Sequence, residues 1–138
     1  MERSTKMPLK LIQASESDSP RIADIHMSAF GTNKMLLAQF PTPAVRAGLW
    51  TSLVEKALAE MRDPKWEVLL VKDEQSGKII SFAKWYRPIW DEEGYVEEPW
   101  VWPEGTAIGV LDEWTERVEA AGGKVLGTRP CYRMKSLY

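Results

Sequence analysis

The sequence is poor in the residues that build self-sufficient reaction centres. It has a single cysteine, Cys131, which excludes an internal disulfide framework and any zinc site made of paired cysteines. It has a single histidine, His26, which excludes HExxH and every multi-histidine metal centre, so no metal is expected. An excess of one charge is missing too: 18 basic residues face 20 acidic ones, a net charge of −2. Without a basic stripe, nucleic acid is not an expected partner. No apolar run approaches the ~20 residues of a membrane span, and Met1 to Leu11 lacks a signal-peptide core. The expected setting is the cytoplasm, with no membrane partner. Phosphate-cradling glycine loops are also absent. Around Gly122-Gly123-Lys124 a Walker A loop needs a second glycine and a hydroxyl where the sequence has Val118 and Val125. Neither GxSxG nor GxGxxG occurs.

What is present is the material of one ordinary globular domain. Hydrophobic residues make up 44% and charged residues 28%, unlike a disordered chain. Residues 1–8 are polar and read as a flexible N-terminus, and 9–138 as a single domain. Tryptophan is the compositional outlier, at positions 50, 66, 85, 90, 100, 102 and 114.

Leu9 to Ile12 has apolar residues on alternate positions and reads as a first strand. Ser15 and Asp18 form a capping-box pattern, and Pro20 places the helix start between Ser15 and Pro20. Ile22, Ile25, His26, Ala29 and Phe30 then share a helical face, closed by Gly31-Thr32-Asn33 as a C-terminal cap. Met35 to Phe40 reads as a half-buried helical turn. Thr42-Pro43 opens a second helix, with Val45, Leu49, Leu53, Ala57 and Met61 every fourth residue as far as Asp63-Pro64. Trp66 to Val71 and Lys78 to Tyr86 are strands joined by a hairpin loop ending at Gly77. Arg87 to Gly105, punctuated by Pro88, Pro99 and Pro103, is a long connection. Thr106 to Ala121 is a third helix with Ile108, Leu111, Trp114 and Val118 on one face, stopped by Gly122-Gly123. A last strand runs from Cys131. Strand, helix, helix, strand, strand, helix, strand is a mixed α/β domain.

Few places offer chemistry. His26 sits beside an apolar stripe with no acidic partner identifiable in sequence, and reads as a packed structural histidine. A Cys131–His26 nucleophile pair has no supporting local signature. Asp91 to Glu104 gathers carboxylates, Glu97 and Glu98 among them, which would attract a cationic amine or merely keep a loop solvated. Trp100 and Trp102, on alternate positions between Pro99 and Pro103, would line an apolar slot, stack on a cation or pin the loop to the core. Trp85 is a pocket wall or a core residue.

The segments Leu11 to Asp18, Pro20 to Met27 and Ala29-Phe30 resemble the opening strand and first helix of GNAT-superfamily N-acetyltransferases. Leu37 to Pro43 and Trp102 to Thr106 are similar to a fungal branch of GNAT-like proteins, and the hairpin Glu67 to Trp85 resembles the family's second and third strands. The resemblance spans roughly residues 9 to 133. It implies the N-terminal half of the GNAT acyl-CoA N-acyltransferase fold, acetyl-CoA as cofactor, and acetyl transfer to a small amine. The family holds its cofactor with an Arg/Gln-x-x-Gly-x-Gly/Ala loop leading into a helix, where free N–H groups and the helix dipole meet the pyrophosphate. No such loop occurs here. The expectation is therefore a domain lacking the acetyl-CoA-binding half, incomplete or inactive alone, with no catalytic or cofactor-binding residue carried over. For substrate contacts the candidates are Phe30 and Trp85 from the resemblance, and Trp100, Trp102, Glu97 and Glu98 from the connection. Two further expectations stand beside this one. The chain is a non-catalytic interaction module, pairing as a homodimer or with a complementary subunit through the edge Tyr132 to Tyr138. Alternatively it is a shortened product with altered sequence over Met134 to Tyr138.

Overall fold

A computed structural model describes residues 8–88, 99–127, 129 and 131–137. Strand β1 (Leu9–Gln13) is followed by a 3-10 turn (Glu16–Asp18) and three helices: α1 (Ser19–Phe30), α2 (Lys34–Gln39) and α3 (Pro43–Arg62). Strands β2 (Trp66–Asp73) and β3 (Ile79–Tyr86), helix α4 (Ile108–Leu126) and strand β4 (Arg133–Leu137) complete the order. The strands form one sheet in the order β1-β2-β3-β4, with each neighbouring pair antiparallel. The class is α/β, as expected.

Local chemistry sets most of the boundaries. The Ser15 N–H and Oγ both donate to Asp18 Oδ2 at 2.9 Å, which fixes the turn ahead of α1. Thr42 Oγ1 accepts from the Val45 N–H at 3.2 Å, and Pro43 gives up no needed donor at the start of α3. In the hairpin, Asp73 accepts from Gln75 N–H and Ser76 Oγ, and Gly77 takes a φ of +72° that favours glycine.

Helices α1 and α3 pack on one face of the β2–β3 hairpin. Ile22, Ile25, Ala57, Val68, Leu70 and Phe82 form the core there. A second cluster, Ala23, Leu36, Phe40, Val45, Leu49, Leu53 and Leu111, lies between α1, α2, the first half of α3 and α4.

Several expectations need correction. Gly122-Gly123 does not stop the third helix. The Gly127 N–H bonds to Gly123 O at 3.0 Å and Gly127 has a φ of +58°, so the stop lies four residues later. Two glycines cost a helix only about 2 kcal/mol against alanine, less than a terminator needs to impose. Of the expected α4 face only Leu111 is buried; Ile108, Trp114 and Val118 are 46–52% exposed. On α1, Ala23 is buried and Ala29 exposed, so the buried face is rotated toward α3. Gly31 has a helical φ of −57° rather than a left-handed cap. It is small because a Cβ there would stand 2.8 Å from Met27 O, and Asn33 instead caps α2 by accepting from Met35 and Leu36 N–H. The last strand begins at Arg133, two residues after Cys131.

Candidate functional site

Residues Pro99 to Thr106 form a strap laid along α3 in the opposite direction. Pro103 lies against Gly48, where any Cβ would come within 2.6 Å of the proline ring. Ser52 Oγ donates to Val101 O at 2.7 Å. The Lys56 ammonium stands over the Trp100 ring, 5.0 Å from its centroid. Gly48, Ser52 and Lys56 are four residues apart, so one stripe of α3 meets successive strap residues. Next to Val45 the strap turns at Gly105, with a φ of +89°, and a Cβ there would strike Val45 Cγ2 at 2.7 Å. The Ala107 N–H then ties the strap to Gln39 O at 2.8 Å.

This strap closes one side of a cavity of about 620 Å³. Trp100 and Trp102 stack with centroids 4.8 Å apart and planes within 6°, and Phe40 tilts against Trp102 at 5.8 Å. Phe30 and His26, with rings 5.3 Å apart, come from α1. Leu49 and Leu53 come from α3, and Trp114 and Thr115 from α4. Gln39, only 8% exposed, also lines the cavity. The described lining holds no aspartate, glutamate, lysine or arginine.

Behind His26 lies a buried ion pair. Lys84 Nζ on β3 meets Glu60 Oε1 on α3 at 2.9 Å, with both side chains about 95% buried. Burial, with the nearby Lys84 charge, pushes the His26 imidazole down to about 4. At neutral pH it is an uncharged donor and acceptor, too weakly basic for efficient proton abstraction.

Phe30, Trp100 and Trp102, all expected at a site, are thus brought to one cavity. Trp85 is not: its neighbours Lys84 and Tyr86 point to the helices, and Trp85 belongs to the opposite sheet face, paired with Met134. The cause is strand alternation. Glu97 and Glu98 lie outside the described residues. Of the alternatives open for the indoles, the structure shows a cation within the chain, Lys56, over Trp100. His26, read from sequence as merely structural, lines the cavity, and Gln39 was missed. Ser52, Lys56 and Glu60 were missed as well. Their spacing of four, alongside Leu49, Leu53 and Ala57, was the available signal.

The starts of α1, α3 and α4 offer acetyl-CoA few free N–H groups. A pyrophosphate needs free N–H groups and no negative charge at the helix start. On α4, the Ala107, Ile108, Val110 and Leu111 N–H groups are all used within the chain. Helix α3 spends Val45 and Arg46 N–H on Thr42. At α1, Asp18 stands in front of a helix whose second residue is Pro20.

No family model matches the sequence, and no curated protein is significantly similar to it. Among solved structures, the chain is similar to a histone acetyltransferase HPA2 and related acetyltransferase from Corynebacterium glutamicum. Identity is 22% over 85% of this chain and 73% of that one, with a TM-score of 0.48, too loose to place residues. It is also similar to the C-terminal condensation domain of Ebony, at 16% identity and a TM-score of 0.57. The two share a fold. That match covers 86% of this chain and 51% of the Ebony chain, so the chain spans about half its length. No helix among the described residues is long and apolar enough to cross a membrane.

Proposed function

We propose that this chain is the acceptor side of an N-acyltransferase-type fold, and that the cavity between α1, α2, α4 and the strap holds an aromatic primary amine. The observation that carries this reading is the cavity wall itself: Phe30, Phe40 and the stacked indoles enclose a space of drug-like size, where aromatic ligands gain most from burial. The Ebony domain, whose structure is a complex with beta-alanyl-dopamine, supports the choice of an aromatic amine. The reaction we assign is acyl transfer to that amine. The GNAT resemblance supports acetyl-CoA as the donor, and we place the reaction in the cytoplasm.

The test is titration of the 138-residue chain with phenethylamine and tryptamine, followed by calorimetry and tryptophan fluorescence. Saturable binding that weakens at least tenfold in Phe30→Ala is expected. No heat and no fluorescence change from a cooperatively unfolding protein would end this reading.

A second reading has its own observation. Strand β4 is at the sheet's edge, and its Met134 is 50% exposed. Such an edge suits pairing with a second copy or a complementary subunit. Sedimentation of the same preparation separates the two readings: a mass that stays monomeric at every concentration removes the homodimer.

A further inference from the structure

Helix α4 is longer than its contacts with the domain require. Its buried residue is Leu111, in the first turn, and from Asp112 the helix continues for about four more turns with an apolar stripe left exposed. Trp114, Val118 and Val125 are 49%, 52% and 72% exposed, and Ala121 is exposed between them. These four are separated by 4, 3 and 4 residues, the alternation that keeps one seam of a helix facing a second helix. A stripe that packed only on its own domain would have no need to keep that alternation past the last contact. Asp112, Glu116 and Glu119 fall on the opposite side. Beside the seam a groove of about 370 Å³ runs along Trp114, Val118 and Ala121, with Met35 of α2 also lining it.

The charges next to the seam are ordered. Arg117 donates to Glu113 at 2.6 Å, and Lys124, two turns after Arg117, lies on the same flank. The other flank carries Thr115 and Gly122, with no charge. We propose that the occupant of the seam is a second copy of this chain, its α4 laid antiparallel on the first about a two-fold axis. Such an axis sets like flank against like flank with the chain direction reversed. Trp114 then stands opposite Val125 of the other copy and Val118 opposite Ala121, the larger residue against the smaller each time. The same alignment brings Lys124 of each copy within a turn of Glu113 of the other, twice over. Parallel pairing would set the charged flank against Thr115 and Gly122 and match no charges. Four seam residues a side fall well short of the ~20–30 of a stable interface, so the dimer is weak, forming at about 10–100 μM. It is a different surface from the β4 edge.

The experiment is sedimentation velocity of the 138-residue chain from about 1 to about 500 μM, a range that brackets the expected constant. Val118→Glu, at an exposed position, should leave thermal unfolding unchanged and weaken association at least about tenfold, since it puts a carboxylate of each copy into the seam. Lys124→Glu and Glu113→Lys each set like charges side by side, and each alone should weaken the dimer about fivefold. Mixed in equal amounts, those two variants should associate as tightly as the wild type, because every pair across the seam is again unlike. Pairing through the β4 edge gives no reason for that recovery. A monomer throughout the range overturns the proposal, as does an association that survives Val118→Glu. Charge variants that associate no better mixed than apart overturn the antiparallel dimer as well.

Discussion

The two ends of α3 have different surroundings. Its C-terminal half packs Ala57 against the sheet-backed cluster of Ile22, Ile25, Val68, Leu70 and Phe82, and Glu60 is locked to Lys84. Its N-terminal half, with Val45, Leu49 and Leu53, faces the six residues of α2, the strap and α4, and encloses the cavity. Regular elements interdigitate to near crystalline density. A six-residue helix and a proline-bounded strap with two plate-like indoles do not, and they leave room. The filled end of α3 holds the fold together, and the open end is where a ligand fits.

The strongest way to break this comparison is at the ion pair. Glu60→Ala leaves the Lys84 ammonium buried without its carboxylate, and should cost about 3–5 kcal/mol in urea unfolding. Replacing the pair together, by Glu60→Leu with Lys84→Met, should recover most of that loss. If the single variant is as stable as the wild type, the pair does not hold the filled end.

A pair of truncations compares the two ends directly. Leu70, fully buried, should lose about 3–4 kcal/mol as Leu70→Ala. Leu53, at a cavity wall, has fewer partner atoms to lose and should cost about 2 kcal/mol as Leu53→Ala. Equal costs would mean that the two ends are packed alike.

The smallest effect is in pH. His26 has a folded value of about 4 against an ordinary 6.5, so between those values the unfolded chain binds the extra proton. Stability is then full above about pH 6.5 and falls as pH drops toward 4, by up to roughly 2 kcal/mol after allowance for partial exposure. His26→Phe should flatten that part of the profile. An unchanged slope between pH 6.5 and 4.5 would show that the imidazole is not held neutral by its surroundings.

Much of this was legible in the sequence because it is decided within a few residues. The Ser15–Asp18 turn, the Thr42-Pro43 helix start, the four-residue apolar repeat of α3 and the Gly77 hairpin all follow from local sterics and hydrogen bonding. Phe30 became a site candidate through the resemblance to the acetyltransferases, and Trp100 and Trp102 through their alternate positions between two prolines. Trp85 lies away from the cavity because a strand's period of two decides which face a residue takes, and the neighbouring Lys84 took the buried one. A lysine on the inward face is unexpected until its partner, Glu60, is known to lie opposite. The end of α4 was misread because Gly122-Gly123 and Gly127 are all permissible stops, and only backbone geometry chooses among them.

By itself the sequence determined the order of the strands and the longer helices, the α/β class and the absence of a glycine-rich phosphate loop, since these depend on spacing along the chain. Only the tertiary structure decided that His26, Gln39, Phe30 and the two strap indoles share one cavity, and that Lys56 and Lys84 find their places against Trp100 and Glu60. Those pairs stand up to 76 residues apart (His26 to Trp102), and no local pattern records such meetings. They exist because burial of apolar surface brings distant elements together, and the polar groups carried inward must then find partners.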